Sequence, residues 1–575
     1  MMIRYLNIVL LVLLSPIVIA QGSSDATVIT DSDRSVERAY RLRERPKTVD
    51  TIVPSPVTQY PLLVLREDFD FEVNPITPAT IRHLPQLSQL YRGYAKIGGG
   101  SRLMGLGEVY YNSTRSRKYN WGIHAQHLSE WGQISDYAPS QYDRTTARAF
   151  GEVHERRYTY GGELKYRNQG LHYYGFENSN ASRDSIAQRF NTANFSGFYK
   201  SHVKDSAALN YTLGLDYTYF TEARPSEEEM ANWFAQEHFV GLNSNWQYKS
   251  SNNLLLSNMS GDFNIHHNDY RYGIMDSTMA NGVDSGLVST NTIVYLKPMV
   301  KLYGKNEKLQ LRFGGELAID IQEDVVPSLY PVAQVSYSLF DDLFIPYLGV
   351  DGGLVQQRFE LLALQNEFIR TNLPLENMQR YAFNFGIKGT LSKRMSFNVG
   401  ANFSSNRNHA LFVNDTIHSS GNRFGVIYDT ISISTLTGSL SYQHNERLKI
   451  DGILQLHNYQ ARNNPYAWNL PQLELIARGS YNIADKLLLN LDITFEGGRR
   501  AVVYDPTLPN VKEYDGVYTV PLGLVVDGNL GVEYRYSKRV SFFMNVNNFA
   551  AQRYQRWFNY PVQAFQFMMG ATFRF

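Results

Sequence analysis

His266, His267 and Asp269 set two imidazoles and a carboxylate within four residues, the ligand types that a divalent metal takes. Adjacent residues of a strand point to opposite faces, so the two imidazoles cannot converge on one ion. Polar residues at the start of a long outward loop account for them better. Gly98-Gly99-Gly100 opens no phosphate-cradling helix and reads as a tight connection between the first two strands. Arg115-Ser116-Arg117-Lys118 reads as a solvated basic turn. The chain has no His-Glu-x-x-His and no Gly-x-Ser-x-Gly, so neither the zinc-hydrolase nor the hydrolase-elbow chemistry has its residues. With no Cys, disulfides, thiolate metal sites and a lipid-anchored N-terminus are all excluded. No catalytic, metal or cofactor site is therefore assigned, and no enzyme activity is expected. What remains is a set of charges at regular phase: Arg312, Glu316, Lys388, Lys449, Asp451, Asp492, Glu533 and Arg535.

The elements that carry these charges are strands. At the C-terminus Phe565, Phe567, Met569, Ala571, Phe573 and Phe575 alternate with Gln566, Met568, Gly570, Thr572 and Arg574. A period of two puts each set on its own face. A charge facing lipid at the bilayer midplane costs roughly 2–4 kcal/mol, and Arg574 falls on the face away from the apolar set. Leu309, Leu311, Phe313, Gly315, Leu317 and Ile319 repeat the pattern, with Arg312, Glu316 and Asp320 on the other phase. Lys388, Lys449, Asp451, Asp492 and Glu496 obey it too, as do Glu533 and Arg535 against Leu530, Val532, Tyr534 and Tyr536. The charges are predicted to line a wet lumen, as a solute path or as a salt-bridged interior. Their mixed signs predict no strong preference for anions or cations.

Short polar turns are predicted near Thr114–Lys118, Arg167–Gly170, Lys204–Ser206, Lys249–Asn253, Gly304–Lys308, Phe340–Asp342, Ser392–Arg394, His444–Arg447, Ala484–Lys486 and Ser537–Arg539. Longer connections fall near 129–146, 177–192, 221–236, 268–288, 357–377, 404–424, 497–517 and 549–561. Short turns at one end and long loops at the other is the asymmetry of a bacterial outer-membrane barrel. Ten turns join twenty strands, and one more at each end gives about 22. The expected fold is thus an all-β transmembrane antiparallel barrel over residues 89–575, with short periplasmic turns and long extracellular loops.

The flanks agree. Arg4, the apolar run Ile8–Ile19 and Val18-Ile19-Ala20 read as a signal peptide over residues 1–20. Without Arg4 the chain has 54 basic and 54 acidic residues, which argues against a nucleic-acid partner. The 40 Tyr, 31 Phe and 6 Trp suit interfacial girdles. Residues 21–88 are punctuated by Pro46, Pro54, Pro56, Pro61, Pro75, Pro78 and Pro85, which favours extended chain over a folded domain. Within it Ser35 caps a candidate basic helix, Val36–Arg45. This segment is expected to be periplasmic or to occlude the lumen.

The runs Asn529–Phe549 and Gln552–Phe567, with the 22-strand count, resemble the barrel of TonB-dependent outer-membrane receptors. The resemblance covers 89–575 and implies an outer-membrane location, contact with outer-membrane lipids, and solute transport or receptor-type binding at the surface of a Gram-negative cell. It also implies that Phe573 and Phe575 end a signal read by the barrel-assembly machinery. The family's plug domain and its energy-coupling box have no counterpart in 21–88. A barrel this wide holds a plug in known transporters, so an occluding segment, inward loops or a partner protein is expected. The alternative function is a non-transporting scaffold of a secretion, assembly or surface-lipoprotein complex. An outer-membrane hydrolase is a weaker third reading.

Overall fold

The computed structural model describes residues 90–575 apart from 179, 204–208, 223–232, 250–257, 276–282, 305–307, 418, 420 and 515. The signal peptide, the segment 21–88, the turn at Lys204–Ser206 and most of that at Lys249–Asn253 lie outside the described residues. So does most of the connection at 221–236.

The alternation written in the sequence becomes one antiparallel sheet of 22 strands. It closes because its first strand, Gly93–Gly100, pairs with Met104–Asn112 on one side and with the last strand, Gln566–Arg574, on the other. One apolar phase is exposed on strand after strand, among them Leu164, Phe195, Leu242, Phe313, Phe385, Leu440, Leu491 and Met569. Such a continuous apolar exterior needs a lipid cover. Toward the turn end Tyr158 stacks on Tyr199 at 5.7 Å, and Tyr199 on Tyr211 at 5.9 Å, part of an aromatic girdle. Among the described residues no helix is long and apolar enough to cross a membrane, so the strands do the crossing.

Two turn assignments need correction. Residues 167–170 lie inside the strand Tyr158–His172, and the hairpin before it turns at 155–157. Asn168-Gln169-Gly170 has turn-forming residue types, whereas Glu155-Arg156-Arg157 has none of the usual Gly, Pro or Asn markers. The hairpin keeps its place in chain order, so the number of strands is the same. Gly98–Gly100 likewise sit within the first strand, and the connection is 101–103. A side chain at Gly570 would bring its Cβ to 2.0 Å from the Ile97 carbonyl oxygen and 2.7 Å from the Gly98 Cα, so these glycines let the closing seam lie flat.

Strands also run further into the loop end than expected. Asn258–Met275 covers the start of the 268–288 connection. Met395–Asp415 and Arg423–Gln443, each 21 residues, reduce that at 404–424 to seven residues. Polar residues beyond the lipid belt still pair as sheet, which hydropathy alone does not distinguish from loop. The connections 322–324 and 462–472 were not anticipated. At the loop end, 498–524 holds a three-stranded sheet, Arg500–Val503, Lys512–Tyr514 and Val517–Pro521.

Candidate functional site

The connection 356–377 decides what the barrel can do. It joins neighbouring strands, Ile345–Val355 and Met378–Ser392, yet it packs on walls far from both. It contains one short helix, α1, Phe359–Gln365. Arg358 offers no side-chain cap to α1. Glu237, in the strand Trp233–Lys249, does so instead: its Oε1 accepts the Phe359 N–H at 2.8 Å and its Oε2 accepts the Glu360 N–H at 2.9 Å. A carboxylate suits the positive end of a helix, and here it satisfies two donors that would otherwise be buried bare. Asn268 donates a third bond, 3.0 Å, to the same carboxylate. Phe359 stacks on Tyr270 at 5.1 Å and touches Phe220.

Past α1 the chain reaches the opposite wall. Ile369 bridges Phe424 in parallel: Phe424 N–H donates to Phe368 O at 3.0 Å and Arg370 N–H to Phe424 O at 2.9 Å. The Arg370 guanidinium lies 3.4 Å from Asp415. Phe368 stacks on Tyr560, which comes from the connection after Val540–Asn547, at 3.8 Å. Glu360 pairs with Arg167 at 3.0 Å, and Glu367 lies 3.5 Å from Arg144. At its end Asn377 accepts from Asn291 and donates to Asp320, both at 2.8 Å. The segment is thus fastened to three sides of the cylinder and crosses its mouth.

Phe359, Leu362, Phe368, Ile369, Leu373 and Leu375 share one buried cluster with Phe190, Phe220, Tyr270, Phe424 and Tyr560. Tyrosines close the remaining gaps. Tyr173 donates to Ile369 O at 3.1 Å, Tyr174 to Pro561 O at 3.1 Å, and Tyr560 to Asn422 O. Burial pushes all three phenols well above their ordinary value, so each keeps its proton and remains a donor. Two cavities flank the segment. One of about 280 Å³ is lined by Glu130, Tyr142, Glu367, Asp527 and Arg556, and one of about 450 Å³ by His266, Lys297, Glu316, Arg358 and Leu361.

The charges singled out in the sequence fall into pairs and one unbalanced group. Glu316 meets Lys297 at 2.9 Å, Asp451 meets Lys449 at 3.0 Å, Asp492 meets Arg478 at 3.4 Å, and Glu533 meets Arg535 at 3.8 Å. Arg312 and Lys388 instead border one cavity of about 210 Å³ together with Lys301, and among the described residues no carboxylate lines it. Mixed composition therefore hides a local excess of positive charge. Phe573 and Phe575 stack at 5.8 Å on the exterior of the last strand's end.

His266 and His267 lie in mid-strand, not at a loop. They part as the period of two requires: His266 Nε2 is 3.0 Å from Asn243 Oδ1, and His267 Nδ1 is 2.8 Å from Thr292 Oγ1. Asp269 pairs with Arg271 at 2.7 Å. No group of three metal-ligating side chains occurs among the described residues. Sequence reasoning missed the segment 356–377 as anything but a loop. Its signal was composition: Phe359, Leu361, Leu362, Leu364, Phe368, Ile369, Leu373 and Leu375 are too many apolar residues for a connection bathed in water.

No family model matches the sequence, and no curated protein does. Solved structures do match. The pyoverdine outer-membrane receptor of Pseudomonas aeruginosa, bound to pyoverdine, is similar with a TM-score of 0.61 at 12% identity, over 85% of this chain and 79% of that one. A mutant of the ferric enterobactin receptor of Pseudomonas aeruginosa gives 0.61 at 12% identity, over 84% and 80%. The siderophore receptor of Acinetobacter baumannii gives 0.62 at 10% identity, over 85% and 81%. The fold is that of these receptor barrels, and the chain is an outer-membrane β-barrel.

Proposed function

We propose that this barrel is a gated receptor-type transporter, in which the segment 356–377 holds the outer mouth shut until a surface ligand or partner displaces it. The observation that carries the reading is the triple attachment of that segment, to Glu237, to Phe424 and to Tyr560. An open barrel of this width would leak, and a segment that crosses the mouth is what a gate needs. The likeness to siderophore receptors supports the transport class and leaves the cargo open. The group Lys301, Arg312 and Lys388, with no carboxylate beside it among the described residues, favours a solute that carries negative charge. Entry by a signal peptide over 1–20, delivery of Phe573 and Phe575 to the assembly machinery, and a further occluding role for 21–88 complete the reading.

Liposome swelling with sugars of graded mass tests it. Liposomes holding the full chain should not swell. A variant with Phe359–Leu373 replaced by a flexible linker should admit sugars up to pore size. Equal impermeability of both would overturn the gate. A stoichiometric partner co-purifying from native membranes, with no conductance in either form, would favour the scaffold instead.

A further inference from the structure

One junction in the wall is built unlike the others. The strand Val325–Tyr337 pairs with Leu309–Ile321 over thirteen residues, but with Ile345–Val355 over only four, Ala333↔Val350 to Ser336↔Tyr347. From Val332 outward to Val325 that edge has no ladder partner among the described residues. Proline explains why. Ser338 N–H donates to Lys308 O, and Leu339 N–H to Phe344 O. The register is unbroken, so even-numbered N–H groups face the earlier neighbour and odd-numbered ones the later. Pro327 and Pro331 are odd, which removes half of the donors at 325, 327, 329 and 331 from the free edge.

The two strands then overlap instead of lying side by side. Leu354 N–H donates to Glu316 Oε1 at 3.4 Å, which tucks the end of Ile345–Val355 inside the wall. Tyr330 lies over it from outside. A Cβ at Gly352 would sit 2.9 Å from Arg380 O and 3.2 Å from the Tyr330 Cβ, so glycine lets the two layers close up. Tyr330, fully buried, packs with Ile293, Tyr295, Ala318 and Leu354, and its ring is 4.9 Å from that of Tyr381. Space adjoins the overlap. Within lies the cavity of about 450 Å³, bordered by Tyr295, Glu316 and Leu354. At the loop end the free edge borders a polar cleft of about 760 Å³, lined by Val326, Asp320, Glu323, Asp324, Glu376 and the Gln379–Arg407 face.

We infer that this overlap is a lateral portal, through which an amphiphile of the outer leaflet, a long apolar chain with a polar head, reaches the lumen. Parting the layers breaks apolar contacts and one weak hydrogen bond, whereas parting a zipped seam would strand backbone donors in lipid. The inner cavity offers both surfaces that such a molecule needs, Phe239, Leu354 and Leu361 for the chain and Lys297 and Glu316 for the head. The portal stands whether or not a second solute crosses the mouth.

The chain has no Cys, so an engineered pair is clean. In the double variant Tyr330→Cys, Gly352→Cys the two Cβ atoms start within a few tenths of an ångström of disulfide spacing. The full chain and this variant, in phosphatidylethanolamine–phosphatidylglycerol liposomes, are irradiated with a diazirine-tagged sixteen-carbon fatty acid, and adducts are mapped by mass spectrometry. Peptides with Tyr295 and Leu354 should be labelled in the full chain and in the reduced variant. Oxidation should lower that labelling at least tenfold and leave the exterior Phe313 peptide unchanged. Labelling of the interior that ignores the disulfide would overturn the portal. So would labelling confined to the exterior, a result the unmutated chain delivers even where the double variant fails to fold.

Discussion

The closing seam and the overlap at Tyr330 both put glycines where two backbones meet, and they reach opposite ends. Between Gly93–Gly100 and Gln566–Arg574, Gly98 faces Gly570 in register and seven residue pairs hold the edges level. Between Val325–Tyr337 and Ile345–Val355, Gly352 and Gly353 let one edge slide beneath the other after four pairs. Glycine supplies close approach in each case. Proline decides the outcome, because a ladder ends where its donors do. The same cylinder is therefore bolted at the junction its termini create and merely lapped at another.

The largest effect is expected at the bolted junction. Gly570→Val would force a Cβ to 2.0 Å from Ile97 O, and backbone cannot give way there. That variant should lose the heat-modifiable folded band on electrophoresis altogether. Gly352→Val is the milder counterpart: its Cβ would lie 2.9 Å from Arg380 O and 3.2 Å from the Tyr330 Cβ, against 2.0 Å from backbone at Gly570. Overpacking of this kind costs about 1–3 kcal/mol, and amide exchange at Gly353–Val355 should quicken roughly tenfold, 1.4 kcal/mol per decade. Unaltered exchange there would mean that the two layers are already apart. The smallest effect belongs to Pro331→Ala, which restores a donor to an edge with no ladder partner among the described residues. Its unfolding free energy should fall by about 1 kcal/mol, the lower end of what an unpaired buried donor costs; strong stabilisation would show that the edge had a partner after all.

Much of the wall was legible because lipid imposes a simple rule. Phe383, Phe385 and Ile387 against Lys388, or Leu309 to Ile319 against Arg312 and Glu316, alternate without exception, and the repeated Ser-Lys-Arg turns mark the hairpins. The turn at 155–157 escaped because two arginines and a glutamate carry no conformational signal. The mouth was legible only as an expectation of inward loops and in the apolar composition of 356–377; its partners were not. Glu237 caps α1 from 122 residues away, and no local pattern announces a partner so distant. The pairing of Glu316 with Lys297 and the grouping of Arg312 with Lys301 and Lys388 were hidden for the same reason: phase tells which face a charge takes, while neighbours across strands depend on register. The overlap had a trace in Pro327 and Pro331, four residues apart inside a strand, a spacing that a fully paired strand would not tolerate.

Closure of the mouth by the chain's own segment is what the functional account depends on, and single-channel recording in planar bilayers reads it directly. The full chain should be silent. Glu237→Ala, which strips two buried N–H groups of their acceptor at about 1–3 kcal/mol each, should flicker to a large conductance as α1 lifts and resets. A steady, wide pore in the unmutated protein would contradict the account, as would a Glu237→Ala channel that never opens.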